Sequence, residues 1–197
     1  MKTKSIQKLK ENITSVEYKK LMNSVRGNET IRANTKSNML RTFCVLYFTG
    51  MRLNELQDLR VLNIRELIEN GTTKAILSKT NSERRLFLTD EFKKELSKLF
   101  DLDSEHDDNR IITKGANKNK RTGINDIVFI GMVNRMIQSI LGASFSSHCY
   151  RRGIITEMGS KSINTKIISK FIGHSSVKTT MGYINPTDSD IVNCLIR

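Results

Sequence analysis

The chain has no tryptophan, one proline (Pro186) and only three cysteines (Cys44, Cys149 and Cys194) among its 197 residues. The cysteines form no CxxC pair and no ligand spacing, which argues against a structural zinc and fits a reducing compartment. Long apolar runs are missing too: nothing approaches the ~18 apolar residues of a membrane span. The opening MKTKSIQKLKEN has no apolar stretch of the secretory kind. A cytoplasmic protein with no membrane partner is expected. There is no GxxxxGK[ST] for a nucleotide, no HExxH, no Asp/Glu cluster with octahedral spacing and no Cys/His quartet, so no cofactor and no metal are expected. Aromatic residues are 6% of the chain, with no aromatic-rich strand to stack single-stranded bases. Acidic residues are the minority, 20 against 33 Lys+Arg, which leaves a net charge of +13. That excess points to a polyanionic partner; the bland reading is the surface of a chain rich in Lys, Asn and Ile.

A length near 200 is enough for one large domain with its own core. Hydrophobic periodicity predicts a mainly helical fold with one small antiparallel β-hairpin, and no repeat or internal break. Thr14 and Glu17 form a capping box for a first helix carrying Val16, Leu21, Met22 and Val25 and ending near Gly27. A second helix is expected over Asn34–Thr49 and a third over Met51–Leu59. Strands at Thr73–Ser78 and Arg84–Leu88 flank the polar tip Lys79–Glu83. Thr89 caps a helix with Phe92, Leu96, Leu99 and Phe100. Residues 101–123 read as a loop, its acidic half (Asp101–Asp108) solvated, with a short strand at Ile111-Ile112. Ile127, Val128, Val133, Met136, Ile137 and Ile140 mark a helix over Ile124–Leu141. Ser146 or Ser147 caps the next, to about Met158, followed by Ile163–Ile172, Ser176–Gly182 and a last one over Asp188–Ile196.

Three polar islands sit against these apolar faces. In TGMRLNEL, Arg52 and Glu55 are i, i+3 neighbours, so the carboxylate can orient the guanidinium; alone, such a pair is usually a surface ion pair. In SHCYRR, His148 and Arg151 share the same spacing at a helix N-terminus, where an anion is favoured. In FIGHSSVKTTMGY, Gly173 turns the chain at His174, and Tyr183 follows nine residues after that histidine.

In this order the islands resemble the catalytic domain of tyrosine recombinases, the phage-integrase family. TGMRLNEL looks like its first arginine box, HCYRR like its HxxR box and IGHSSVKTTMGY like its GHxS…T…Y box. Lys79 falls where the family carries a hairpin lysine, with Arg84 or Arg85 a few residues later. Tyr150 stands where leucine is more usual. The resemblance spans Thr14 to Asn185 and implies the DNA breaking-rejoining fold over 14–187, after a basic linker or arm at 1–13. The tail at 188–197 would be able to dock on a neighbouring protomer. The family's large N-terminal clamping domain has only a short lead in its place, so a separate clamping domain is an expected partner.

The implied chemistry is site-specific recombination of double-stranded DNA without metal or ATP. Arg52, Arg151 and His174 would hold the non-bridging phosphate oxygens, and Glu55 would orient Arg52. Tyr183 would attack to give a 3′-phosphotyrosyl bond, His148 would assist as base, and Lys79 would protonate the leaving 5′ oxygen. Lys118, Lys120, Arg121, Arg152 and Lys178 are expected to grip the duplex. The family works as a tetramer on synapsed DNA, with a monomer expected when free. Two alternatives share the residues: a DNA-binding regulator or decayed recombinase, and a type IB topoisomerase. The intact set of Arg52, Lys79, His148, Arg151, His174 and Tyr183 favours the recombinase.

Overall fold

The computed structural model describes residues 11–77, 82–114 and 124–184, with positions 188 and 192. Helix α1 (Ser15–Gly27) starts at the expected capping box: Thr14 Oγ1 accepts the Val16 N–H, and Glu17 accepts the Thr14 N–H at 2.9 Å. Its buried stripe is Tyr18, Leu21, Met22 and Val25. Val16, expected on that stripe, lies off it and is 69% exposed.

Helix α2 (Ala33–Thr49) is the centre of the fold. Met39, Leu40, Phe43, Cys44, Val45 and Leu46 are all buried, a pattern wider than one stripe, as befits a helix packed on several sides. It meets α1, α5 (Asp90–Leu99) and α7 (His148–Ser160). Each such side chain removed from water contributes about 1.5–3 kcal/mol. The third helix is shorter than expected: α3 covers only Leu53–Gln57, because Arg52 is its extended N-cap and Asp58 closes it. Then comes α4 (Val61–Asn70), an element with no counterpart among the sequence-based expectations, although Val61, Ile64 and Leu67 recur at helical spacing and Gly71 ends it.

Strands β1 (Thr72–Leu77) and β2 (Ser82–Phe87) pair antiparallel, with Ala75 opposite Arg84 and Thr73 opposite Leu86. Thr73, Ala75, Arg84 and Leu86 are buried, while Lys74, Ile76, Glu83, Arg85 and Phe87 face outward, the period-2 alternation of a half-buried sheet. The expected strand at Ile111-Ile112 is instead one isolated bridge between Arg60 and Arg110; both isoleucines are core residues. The acidic run before it is not a freely solvated loop. Arg41 forks onto Glu105, Arg65 Nε lies 2.9 Å from Asp107, and Arg60 lies 3.5 Å from Asp108.

Helix α6 (Asp126–Leu141) buries Phe129, Val133 and Ile137. Ile127 and Val128, expected inside, are 83% and 53% exposed, because they precede the stripe that meets the core. The chain then forms α7, α8 (Thr165–Ile172) and α9 (Val177–Met181). The expected last helix, Asp188–Ile196, lies outside the described residues except at two positions. Among the described residues no helix is long and apolar enough to cross a membrane.

Helix α7 ties two apolar clusters together. Cys149 and Tyr150 belong to the main core, and Ile155 packs with Ile168 and Ile172 in a smaller cluster that also receives Tyr183. The lead segment lies across this helix. Ile13, read from sequence as part of the arm, is buried, and its N–H donates to the Cys149 carbonyl at 3.1 Å. Gly153 permits that crossing, since a Cβ there would stand 2.4 Å from the Ile13 carbonyl oxygen. Gly153→Ala should therefore cost about 1–3 kcal/mol in urea unfolding, as an overpacked contact does, and should speed exchange of the Ile13 amide. An unchanged midpoint would show that the lead segment is not held there.

Candidate active site

Helices α2, α7 and α8 and strand β2 meet at the seam between the two clusters. Helices α2 and α8 both end in left-handed glycines, Gly50 (φ 59°) and Gly173 (φ 73°), which release the chain into Met51-Arg52 and into His174. The last carbonyls of both helices therefore point at the seam, with the negative end of each helix dipole.

Two buried guanidiniums take up those carbonyls. Arg151, from α7, donates from Nη1 to Gly50 O and from Nη2 to Ile172 O, both at 2.8 Å. Arg84, from β2, donates from Nη2 to Thr49 O at 2.8 Å and from Nη1 to Ile172 O at 2.6 Å, with Phe171 O at 3.3 Å. Burial, with the charge of Arg52, pulls the Arg151 guanidinium down to about 9, and burial pulls Arg84 down to about 10. Both stay charged at neutral pH.

Arg52 supplies the third guanidinium. Its Nη1 lies 2.6 Å from Glu55 Oε1, and Glu55 also accepts the Arg52 N–H at 3.1 Å. The carboxylate is fully buried while the Arg52 side chain remains 29% exposed. An inaccessible anion thus holds a cation that can still reach a ligand.

His174 stands among these charges. Its Nε2 accepts from Arg151 Nε at 3.3 Å, its Nδ1 lies 2.8 Å from the buried Thr180 hydroxyl, and its ring stacks on Tyr183 at 6.1 Å between centroids. Desolvation, followed by the charges of Arg151, Arg52 and Arg84, lowers its pKa to about 4. His148, exposed in the first turn of α7, is also lowered, by partial desolvation and then by Arg151, Arg52 and Arg152.

The structure thus gathers Arg52, Glu55, Arg151, His174 and Tyr183, with His148 within the same field. Lys79, between the two strands, and Lys118, Lys120 and Arg121 lie outside the described residues. Lys178 is exposed on α9. Arg152, expected on DNA, donates to the Glu11 carbonyl at 2.7 Å and so fastens the lead segment to α7. Ser147 precedes α7 without a capping side-chain bond; its N–H goes to Asn134 instead. Among the described residues no group of acidic, His or Cys side chains could hold a metal ion.

Sequence reasoning attached Arg84 only to the resemblance and passed over Thr180. A charged residue in register with Ala75 on the inward face of a hairpin was the available signal for Arg84. Replacing it by leucine would leave the Thr49 and Phe171 carbonyls without their cation and Ile172 O with Arg151 alone, and each buried acceptor left unpaired costs about 1–3 kcal/mol. Chemical denaturation of Arg84→Leu should show that loss; a change under about 1 kcal/mol, the scale of a surface pair, would contradict the clamp.

The phage integrase family model matches residues 11–190. The tyrosine recombinase XerC of Treponema denticola is 26% identical over 166 residues, covering 77% of this chain and 52% of that protein. The chain therefore spans about half the length of this relative. The crystal structure of XerA recombinase superposes with a TM-score of 0.69 at 19% identity, over 93% of this chain and 63% of the other. XerH recombinase bound to its difH substrate before cleavage gives 0.69 at 18% identity, over 98% and 56%. The mainly helical body with one antiparallel hairpin is thus the fold of tyrosine recombinase catalytic domains, and the chain belongs to the phage integrase family.

Proposed function

We propose that this domain breaks and rejoins double-stranded DNA in site-specific recombination, with Tyr183 as the nucleophile. The observation that carries the reading is the placement of Tyr183 against His174, beside two cations, Arg52 and Arg151, whose orientation is set before any ligand arrives. A phosphodiester resists attack because its oxygens are already negative and gain charge toward the transition state. Fixed cations in a partly desolvated site stabilise that charge without reorganising. Arg52, Arg151 and His174 are assigned to the non-bridging oxygens, with Glu55 holding Arg52 in place.

The Tyr183 oxygen forms a bond to phosphorus as the bond to the 5′ oxygen breaks. A phenol gives up its proton only near pH ~10, so a base is needed, and His148, whose pKa is lowered by partial desolvation and then by its cationic neighbours, is assigned that role. Lys79 is assigned as the acid that protonates the departing 5′ oxygen. The ester retains the bond energy, so a 5′-OH from a second strand reverses the step. Lys118, Lys120, Arg121 and Lys178 are assigned to the duplex backbone, and a tetramer with a separate clamping domain is the proposed working assembly. The difH substrate bound by XerH and the circular intermediate DNA bound by the similarly folded Tn1549 transposon integrase support the substrate class.

Incubation with nicked duplexes, followed by a denaturing gel, tests the reading. Wild-type protein should form a covalent adduct that persists in excess EDTA, and Tyr183→Phe should form none while still binding DNA. An adduct that survives Tyr183→Phe removes the assignment. Replacing the bridging 5′ oxygen by sulfur gives a leaving group that needs no proton. Cleavage of that substrate should be restored in Lys79→Ala but not in Arg52→Ala or Arg151→Ala; no rescue at Lys79 would make it a phosphate ligand instead.

A further inference from the structure

His174 is held more completely than a phosphate ligand requires. Its N–H donates to the Ser169 carbonyl at 3.0 Å, and its own carbonyl accepts from the Ser169 hydroxyl at 3.3 Å. With the backbone clasped, the ring is gripped at both nitrogens, by Arg151 Nε on one edge and by Thr180 Oγ1 on the other. These two grips differ in chemical kind. A guanidinium N–H can only donate, so the bond to Arg151, at 3.3 Å, forms only while Nε2 presents a lone pair. In a neutral imidazole the proton then sits on Nδ1 and is donated to Thr180, whose side chain is sealed from solvent.

That arrangement is the wrong one for an incoming phosphate. A phosphodiester oxygen is acceptor-only, and a lone pair on Nε2 would face it without a hydrogen between them. The same lone pair also occupies the Nε–H of Arg151, a donor that the phosphate could otherwise use.

We propose that Thr180 is a positioning residue that, together with Arg151, keeps His174 in the Nδ1–H form in the DNA-free site, and that a phosphodiester seats there only as Nε2 takes up one proton from solvent. The inference rests on the recombinase reading for its ligand, but the state of the free ring does not. The groups facing the ring are Arg151 from α7, Arg52 at the entry to α3, Arg84 from β2, Glu55 from α3, and Thr180 and Tyr183 from α9 and just beyond it. Desolvation, and then three cations against one carboxylate, keep the ring neutral, with a pKa of about 4. A bound phosphodiester adds one negative charge to this set, which moves the balance toward the imidazolium. The proton adds to the Nε2 lone pair, no bond to carbon or phosphorus changes, and Nδ1–H stays with Thr180.

The test reads the ring nitrogens directly. In full-length protein with ring-15N histidine, His174 is identified among the three histidines by the signal lost in His174→Gln. At neutral pH, Nε2 should show a lone-pair shift and Nδ1 a protonated one, and acidification should change this only toward the low pKa. Thr180→Val should mix the two tautomers, and Thr180→Ser should restore one. With saturating duplex and the Tyr183→Phe protein, both nitrogens should become protonated. Calorimetry in two buffers of different ionisation enthalpy should register one more proton taken up than in the same protein carrying His174→Gln.

A protonated Nε2 in the free protein overturns the proposal, as do unchanged tautomers in Thr180→Val. A duplex that leaves the Nε2 lone pair in place, or that moves the proton from Nδ1 to Nε2 with no uptake, overturns its second half. Failure of wild-type protein to form any adduct would defeat the recombinase reading and leave the free-ring result standing on its own.

Discussion

Two arginines buried at the ends of two helices are the constraint on which the site depends. A guanidinium taken from water loses several kcal/mol of solvation after relaxation. Arg84 and Arg151 recover it from carbonyls that have no intrahelical partner and that carry the negative ends of α2 and α8. Hydrogen bonds with a charged member contribute about 1.5–3 kcal/mol each, so the exchange is favourable only where several converge. They share Ile172 O, so β2, α2, α7 and α8 are bound at one point. The two glycine-ended turns that present Arg52 and His174 are therefore fixed by the interaction that buries the cations beside them.

The same arrangement makes the site strongly cationic, and desolvation there, followed by its cations, lowers the pKa of both histidines. Charges that cannot be relieved by solvent act on every neighbour, and His174, with Arg151 against its ring, feels them most. Glu55 is the counterweight. Fully buried, it is hydrogen-bonded to Arg52, and the exposed part of that guanidinium stays open to a ligand.

Much of the fold was legible because its signals are local. The Thr14–Glu17 box, the α2 pattern and the hairpin follow from spacing within a few residues, and the polar islands stand out because each is a short run on one turn. What stayed hidden depends on contacts between distant parts. Alternation within β2 marks Arg84 as inward-facing, but the α2 and α8 carbonyls that make a charge tolerable there arrive from distant parts of the chain. Ile127 and Val128 satisfy a helical pattern yet miss the core, because the stripe that packs begins at Phe129. The run Asp101–Asp108 has the composition of a solvated loop, but Arg41 from α2, Arg60 just before α4 and Arg65 within it pin it. Helix α4 was within reach of the same spacing argument, since Val61, Ile64 and Leu67 carry it.

The central claim is that this scaffold directs a phenolic oxygen at a phosphodiester and retains the 3′ side of the broken strand. The measurement that tests it most directly is the chemistry of both products of cleavage. Protease digestion and tandem mass spectrometry of the protein-bound fragment should place the nucleotide on the peptide containing Tyr183, through a 3′-phosphate. The released fragment should carry a free 5′-hydroxyl that a polynucleotide kinase labels without prior phosphatase treatment. A nucleotide on another residue, a 5′-phosphate link to protein, or a released fragment that already bears a 5′-phosphate would contradict the account.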